Sequence, residues 1–358
     1  MEIGITGLPQ SGKTTLFNAL TGGTVATGAY SKEEHLGTVK VPDERLEALG
    51  RMFEPKKVTP VDVQYVDVAG LVKSGSRDEK NALLSALRSV DALILVVRAF
   101  ESDIVSAPDG GIDPVRDCAD FELELLFADL EICERRIDRL QREVKVGRTE
   151  GKTELDALVR CKEALNAERP LREVEFSTVE EKSIRGFQFL SAKPIIIVMN
   201  VAEGDVASAS DLHVKWSPLA DRSNVGLVVL CAEIEMEIGQ LDADDQTGFL
   251  EDLGIPEPAV SRLIRESYSL LDLITFFTAG GQDEARAWSL PKGSLAPQAA
   301  GAIHSDLERG FIRAEVVRVQ DLLECGSFVT AKEKALLRLE GKAYEVQEGD
   351  VLTIRFSV

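Results

Sequence analysis

The feature that most constrains this chain is a glycine-rich loop between a predicted strand and a predicted helix. Residues Gly7 to Thr14 match the pattern G-x-x-x-x-G-K-[ST], directly after the apolar run Gly4–Thr6 and before the helix-like segment Thr15–Leu20. In this context the glycines let backbone N–H groups surround phosphate oxygens, and the helix N-terminus adds a favourable dipole. The alternative is a chance glycine-rich turn. The pattern favours a P-loop that binds a purine nucleoside triphosphate with Mg²⁺.

Side chains of this phosphate-binding loop have predicted roles in phosphate and metal binding. Lys13 is expected to reach the β- and γ-phosphates and to stabilise the transferring phosphoryl group, and the Thr14 hydroxyl is expected to ligate Mg²⁺. The other nucleotide-binding residues predicted in this stretch are Gln10, Ser11, Gly12 and Thr15.

A second motif, D-x-x-G, follows the predicted strand 61–66. Asp67 is expected to hold Mg²⁺, often through water, and the amide of Gly70 is expected to sense the γ-phosphate. Leu71 stands where Ras-like enzymes place a glutamine that orients the attacking water. Because leucine cannot do this, we predict no catalytic base. Hydrolysis is then slow, or its water is positioned by backbone, by another loop or by a partner.

Two further segments are predicted to contact the base. Asn200 and Glu203 stand where GTPases carry N-K-x-D, whose aspartate accepts both hydrogen bonds from guanine. Glutamate is longer and the lysine is absent, so we expect weak guanine selectivity. Cys231 and Ala232 follow a later strand, at the position where a backbone amide usually meets the base edge.

Five short apolar runs predict the strands of a buried parallel sheet. They cover residues 4–6, 61–66, 93–97, 195–199 and 227–230. Helical patterns lie between them, which indicates a doubly wound α/β domain with its ligands at the carboxyl ends of the strands.

Between residues 117 and 193 the pattern becomes helical. Apolar residues recur in alternating steps of three and four, stop near residues 147–151, and then resume. This is the a/d pattern of two antiparallel helices. We therefore expect a coiled-coil hairpin at 117–193, inserted into a nucleotide-binding domain formed by 1–116 and 194–273.

The tip of the predicted hairpin is basic, although the whole chain is acidic. Residues 132–152 contain seven basic residues and four acidic ones. One interpretation is a solvated face with helical charge pairs, such as Glu131 with Arg135 and Asp138 with Arg142. The other is a contact with RNA or the ribosome.

After about residue 274 short strand-like pieces alternate with Gly, Pro and Asp. The predicted strands are 285–288, 312–316, 342–346 and 352–356. They indicate a small α+β domain at residues 274–358.

Charge and cysteine content narrow the environment and the partners. The formal net charge of −20 argues against a broad DNA-binding or anionic-membrane surface. The five cysteines lack metal-ligand spacing, which fits a reducing compartment, and no apolar run approaches the roughly 20 residues of a membrane span. We expect a cytoplasmic protein.

The chain resembles the Obg-like ATPase family, also called YchF, over nearly its whole length. The resemblance rests on the P-loop, residues 67–73, the Asn200/Glu203 motif, residues 276–280 and the long stretch 296–314. It implies a Ras-like nucleotide-binding domain, an inserted helical hairpin and a C-terminal TGS domain of ubiquitin-like fold. It also implies a preference for ATP over GTP, slow hydrolysis with a hydrophobic residue at Leu71, and ribosome association.

Two segments depart from the family pattern and suggest a divergent paralogue. In the first switch, residues 27–34, Ser31 is the nearest match to the threonine that would complete Mg²⁺ coordination. The second switch, residues 74–81, is shortened and poor in glycine. Three functions therefore stay open: a slow ATP-hydrolysing switch, a nucleotide-gated binding module with negligible hydrolysis, and a GTP-preferring GTPase.

Overall fold

The chain forms two compact units. A computed structural model describes residues 1–23, 25, 35–68, 77–103, 105–106, 110–145 and 151–357. The first unit comprises residues 1–39 and 64–270, and the second comprises residues 40–63 and 271–358.

The strands form one sheet in each unit. In chain order they are β1 (Glu2–Gly7), β2 (His35–Lys40), β3 (Lys57–Thr59), β4 (Asp62–Asp67), β5 (Ala92–Ala99), β6 (Ile195–Val201), β7 (Val225–Leu230), β8 (Leu273–Thr278), β9 (Glu284–Pro291), β10 (Phe311–Arg318), β11 (Arg338–Glu340) and β12 (Asp350–Phe356). The sheet of the first unit has the order β2-β4-β1-β5-β6-β7, and that of the second has the order β11-β10-β12-β8-β9-β3.

Helices fill most of the connections. They are α1 (Lys13–Thr21), α2 (Glu44–Phe53), α3 (Arg77–Ser89), α4 (Pro114–Lys145), α5 (Lys152–Asn166), α6 (Thr178–Ile184), α7 (Ala209–Trp216), α8 (Ala232–Ile238), α9 (Ala243–Leu253), α10 (Ala259–Leu270), α11 (Ala296–Ile303), α12 (Ser305–Arg309), α13 (Val319–Cys325) and α14 (Phe328–Glu333).

The first sheet is parallel where β1 meets β4 and β5, and from β5 through β6 to β7. All seven residues of β6 are buried, as expected for a strand covered by helices on both faces. The five predicted apolar runs fall on β1, β4, β5, β6 and β7, which confirms that part of the prediction. Because β1 lies between β4 and β5, the loop after β1 begins where the strand order reverses, the usual place for a ligand in such sheets.

Helices α4 and α5 belong to the first unit and pack against each other in antiparallel directions. Their shared core includes Cys133, Leu140, Leu158 and Cys161, all on the predicted apolar pattern. An ion pair between Arg136 and Glu154, with nitrogen and oxygen 2.6 Å apart, joins the two helices beside this core.

Residues 40–63 lie in the second unit, whereas we expected all of residues 1–116 to lie in the nucleotide-binding part. Strand β3 pairs in parallel with β9. At the start of α2, the Arg45 guanidinium forms ion pairs with Asp43 at 2.7 Å and Glu348 at 2.6 Å. It also lies over the Phe277 ring, 5.1 Å from its centroid. These contacts join segments far apart in the chain, so local patterns did not reveal them.

The second sheet contains β9, β10 and β12 at three of the predicted positions, but the predicted strand 342–346 is wrong. The backbone turns there, because the Tyr344 amide donates to the Gly341 carbonyl at 3.2 Å. Glu345 forms only an isolated bridge with Leu295. Within the described residues, no helix is long and apolar enough to cross a membrane.

Candidate functional site

The phosphate-binding loop has three positions where the backbone adopts positive φ. They are Gly7 at 149°, Gln10 at 63° and Gly12 at 93°. A Cβ atom on Gly7 would lie 2.3 Å from the Val96 carbonyl oxygen, and one on Gly12 would lie 2.2 Å from Asn200 Nδ2. Both glycines are therefore required by close contact as well as by backbone conformation.

Lys13 is the first residue of α1, and its ammonium group points back along the loop. Its Nζ donates to the Leu8 carbonyl at 2.9 Å. Burial lowers the pKa of Lys13 to about 8, and the nearby Asp67 carboxylate opposes this shift. The ammonium is thus desolvated in the place where phosphate oxygens would stabilise its charge.

Thr14 and Asp67 meet at the carboxyl ends of neighbouring strands. The Thr14 hydroxyl donates to Asp67 Oδ2 at 2.9 Å, and Asp67 is 7% exposed. Burial raises the pKa of Asp67, while the Thr14 hydrogen bond and Lys13 lower it. These oxygen atoms fit Mg²⁺, which is usually held by one or two protein oxygens together with phosphates and water. Among the described residues no group of three or more His, Cys, Asp or Glu side chains is placed to hold a metal ion.

Two hydroxyl groups are buried in this loop and in the strand that precedes it. Ser11 is 1% exposed, and Thr6 at the end of β1 is fully buried. Neither Ser11 Oγ nor Thr6 Oγ1 has a hydrogen-bond partner within the part of the chain that the structure describes. Buried hydroxyl groups are usually paired, so these two retain bonding capacity at the phosphate-binding end of the sheet.

Asn200 joins the two loops that were predicted to hold the nucleotide. Its Nδ2 donates to the Ser11 carbonyl at 2.9 Å, and its Oδ1 accepts from the Ala232 amide at 2.9 Å. The residue is 5% exposed. Both ends of the side-chain amide are therefore used within the protein, and Asn200 fixes the distance between the phosphate-binding loop and the start of α8.

The other predicted base contacts have different environments. Glu203 is exposed at the start of a short 3₁₀ helix. Cys231 and Ala232 are buried, and burial raises the pKa of the Cys231 thiol. Of the side chains predicted near the base, the Glu203 carboxylate is the one open to a ligand.

The remaining predicted residues fall into two groups. Gln10 is exposed at the bend of the loop, and Thr15 is half-buried in the first turn of α1. Ser31, Gly70 and Leu71 lie outside the described residues.

Sequence reasoning missed Arg98, which ends the apolar run of β5 beside Asn200 in the sheet register. The residue is 5% exposed and donates to the carbonyls of Phe100, Val105 and Ser106. It therefore holds the loop after β5 at the edge of the sheet where the site lies. A cation that directly follows a buried strand is the signal that would have revealed it.

Comparisons with known proteins agree with this geometry. A family model described as "50S ribosome-binding GTPase" matches residues 2–125, and the model YchF-GTPase_C, described as a protein of unknown function, matches residues 273–357. The chain is 44% identical to "Ribosome-binding ATPase YchF" of Bacillus subtilis over 365 residues, covering 100% of both chains.

The chain belongs to the YchF family.

Other YchF proteins support the same assignment. The Pasteurella multocida relative, also named "Ribosome-binding ATPase YchF", is 41% identical over 362 residues, covering 100% of this chain and 99% of its own. The solved structure of the Schizosaccharomyces pombe YchF GTPase is similar with a TM-score of 0.87 at 30% identity, and covers 99% of this chain and 97% of its own. The resemblance found in the sequence is confirmed, and the fold is that of a Ras-like P-loop GTPase.

Proposed function

We propose that this protein is a nucleotide-dependent molecular switch that binds ATP with Mg²⁺ and hydrolyses it slowly. The observation that carries the proposal is the arrangement of Lys13, Thr14 and Asp67 around one loop, which Asn200 ties to α8. We further propose that it acts in the cytoplasm in association with the ribosome, as the names of its relatives suggest.

In this proposal the protein promotes hydrolysis by placing charged groups and the metal ion around the phosphates, and no side chain acts as a general base. Bound Mg²⁺ would neutralise charge on the phosphates. Thr14 and Asp67 would hold the metal, and Lys13 would stabilise charge that develops on the transferring group. Because Leu71 cannot orient a water molecule, hydrolysis by the free protein is slow.

The residues of the base pocket are expected to select poorly for guanine. The Asn200 amide is already bonded at both ends, so Glu203 remains to read the base edge. Its carboxylate is one methylene longer than the aspartate of GTPases. We therefore infer that ATP binds more tightly than GTP.

We also propose the finer architecture that the family resemblance implies. Helices α4 and α5 would form an inserted coiled-coil hairpin within residues 117–193, between the two parts of the nucleotide-binding domain. Residues 274–358 would form a TGS domain, to which the structure adds residues 40–63 as packing partners.

The ribosomal contact is proposed for the basic part of the hairpin and for the TGS domain. On α4, the Arg135 and Arg139 side chains are 69% and 72% exposed, although each lies near a glutamate one turn away. Cosedimentation with ribosomes tests this surface in the charge-reversed variant Arg139→Glu/Arg142→Glu. Undiminished binding would remove the hairpin from the interface.

The first experiment is equilibrium binding of ATP, GTP, ADP and GDP with Mg²⁺ to the full chain, beside Lys13→Ala. Tighter ATP binding that is lost in the variant supports the proposal. Tighter GTP binding would support the GTPase instead, and absence of binding would refute the switch.

Single-turnover hydrolysis then separates the switch from a nucleotide-gated binding module. Phosphate release that ribosomes accelerate is expected for the switch. Phosphate release at the uncatalysed rate, with and without ribosomes, would favour the binding module that the leucine at position 71 suggests.

A further inference from the structure

A cavity of about 260 Å³ lies beside the N-terminal part of α4, and no residue of the phosphate-binding loop lines it. Its inner wall includes Leu125, Ile195 and Ile197, which are at most 4% exposed. Val115 and Ala119 are exposed and lie at its mouth. The cavity lies against the face of the parallel sheet that carries Leu95, Ile195 and Ile197.

Three charged residues line this otherwise apolar space: Arg172, Arg222 and Glu122. Glu122 accepts from both arginines, through Oε1 from Arg172 Nη2 and through Oε2 from Arg222 Nη1 at 2.7 Å. Arg172 Nη1 also donates to the Ser191 carbonyl at 3.3 Å. Glu173, outside the lining, also pairs with Arg222, with Oε1 and Nη1 3.7 Å apart, so the cluster of two arginines and two glutamates is neutral.

One donor in this cluster is not satisfied. The Arg172 side chain is 1% exposed, and its Nε has no hydrogen-bond partner within the described residues. Burial, and secondly the charge of Arg222, lower the pKa of Arg172 to about 10, so the side chain remains a cation at neutral pH. A buried N–H group without an acceptor is unfavourable, and the surrounding apolar walls supply none.

We propose that this cavity binds a small monocarboxylate with a short apolar tail. Its carboxylate would accept from Arg172 Nε and from Arg222, and its tail would lie against Leu125 and Ile197. A planar guanidinium suits a carboxylate, which can accept from the unpaired Arg172 Nε. The volume equals that of about nine water molecules at roughly 30 Å³ each, so a ligand of about four to six carbons fits. This site is independent of the proposed nucleotide switch.

The test uses 3-methylbutanoate as the probe and the full chain as the receptor. Ligand-observed NMR titration should show saturable binding, with the neutral isostere 3-methylbutanamide weaker by about tenfold or more, because it lacks the charge. Arg222→Met should weaken the binding by a similar factor, and Ala119→Phe should abolish it by filling the mouth. Arg135→Met, which removes an exposed charge elsewhere on the same surface helix as Ala119, should leave binding unchanged.

Far-UV circular dichroism and a cooperative thermal unfolding transition like that of the wild type show that each variant is folded. Absence of saturable binding by the wild type, or equal binding by the Ala119→Phe variant, overturns the proposal. Equal binding of the amide refutes the carboxylate, and binding of inorganic phosphate without 3-methylbutanoate indicates a simple anion site instead. A crystal structure grown with the probe that shows only ordered water on Arg172 Nε also overturns it.

Discussion

Replacing Asn200 tests whether the bridge between the phosphate-binding loop and α8 stabilises the site. In Asn200→Ala the Ser11 carbonyl and the Ala232 amide lose their partner in a buried place. An unsatisfied buried group lowers the free energy of unfolding by about 1–3 kcal/mol. For the two groups together, with partial entry of water, we expect a loss of about 2–4 kcal/mol. For a unit of this size each kcal/mol changes Tm by about 2–4 °C, so we expect a decrease of roughly 4–16 °C.

Asn200→Asp separates the two hydrogen bonds. The carboxylate still accepts from Ala232, but it faces the Ser11 carbonyl without a proton to donate. Burial and this repulsion raise the carboxyl pKa in the folded state, so the folded protein binds the extra proton more tightly than the unfolded chain does. The loss of stability relative to wild type should therefore be smaller at pH 5 than at pH 7.

Thermal unfolding and urea titration of both variants measure these effects, with Glu203→Gln as the control. Glu203 belongs to the same motif but is exposed, so its variant should stay within about 0.5 kcal/mol of wild type. Nucleotide affinity of Asn200→Ala should also fall about tenfold or more, since the phosphate-binding loop loses a fixed contact. Wild-type stability and affinity in Asn200→Ala would refute the bridge.

Three further predictions concern other parts of the first unit. Gly12→Ala should abolish nucleotide binding, because its Cβ would lie 2.2 Å from Asn200 Nδ2. The double variant Gly12→Ala/Asn200→Ala should regain binding only in part, since a φ of 93° still strains alanine. Wild-type binding by the single variant would contradict this. ATP affinity should fall as pH rises through about 8, because bound phosphate raises the Lys13 pKa and binding then takes up a proton. Calorimetry in buffers of different ionisation enthalpy measures that proton uptake. An ATP affinity that does not change with pH would refute the prediction. Asp129→Ala should lower the free energy of unfolding in urea by about 3–5 kcal/mol, since this fully buried carboxylate accepts from Arg88 and from the amides of residues 190 and 191. As a control, Asp138→Ala on the exposed face of α4 should have little effect. Equal stability of these two variants would contradict that reasoning.

The arrangement of the candidate nucleotide site could largely be predicted because its signals are local. The loop conformation needs glycine at particular positions, and the strand before it and the helix after it are adjacent in sequence. Lys13 and Thr14 follow from the same eight-residue pattern, and Asp67 follows from a short motif after a strand. The parallel sheet then brings Thr14 and Asp67 together, as the carboxyl ends of its strands require.

Other features depend on contacts that a local pattern does not contain. From the local residue types alone, a strand is predicted at residues 342–346. The hydrogen bond from the Tyr344 amide to the Gly341 carbonyl makes this segment a turn instead. Arg98 shows the same limit: its three carbonyl partners become evident only when the loop after β5 is folded around its guanidinium.

The sequence by itself determined the P-loop, five of the six strands of the first sheet, the helical pair and membership of the YchF family. Tertiary structure decided which distant segments meet. Asn200 Nδ2 bonds to a carbonyl 189 positions away, and within the second unit Arg45 joins residues 40–63 to residues 271–358 through Glu348. The physical reason is that periodicity reports which face of a segment is buried, whereas a buried polar group selects its partner by geometry that exists only in the folded chain.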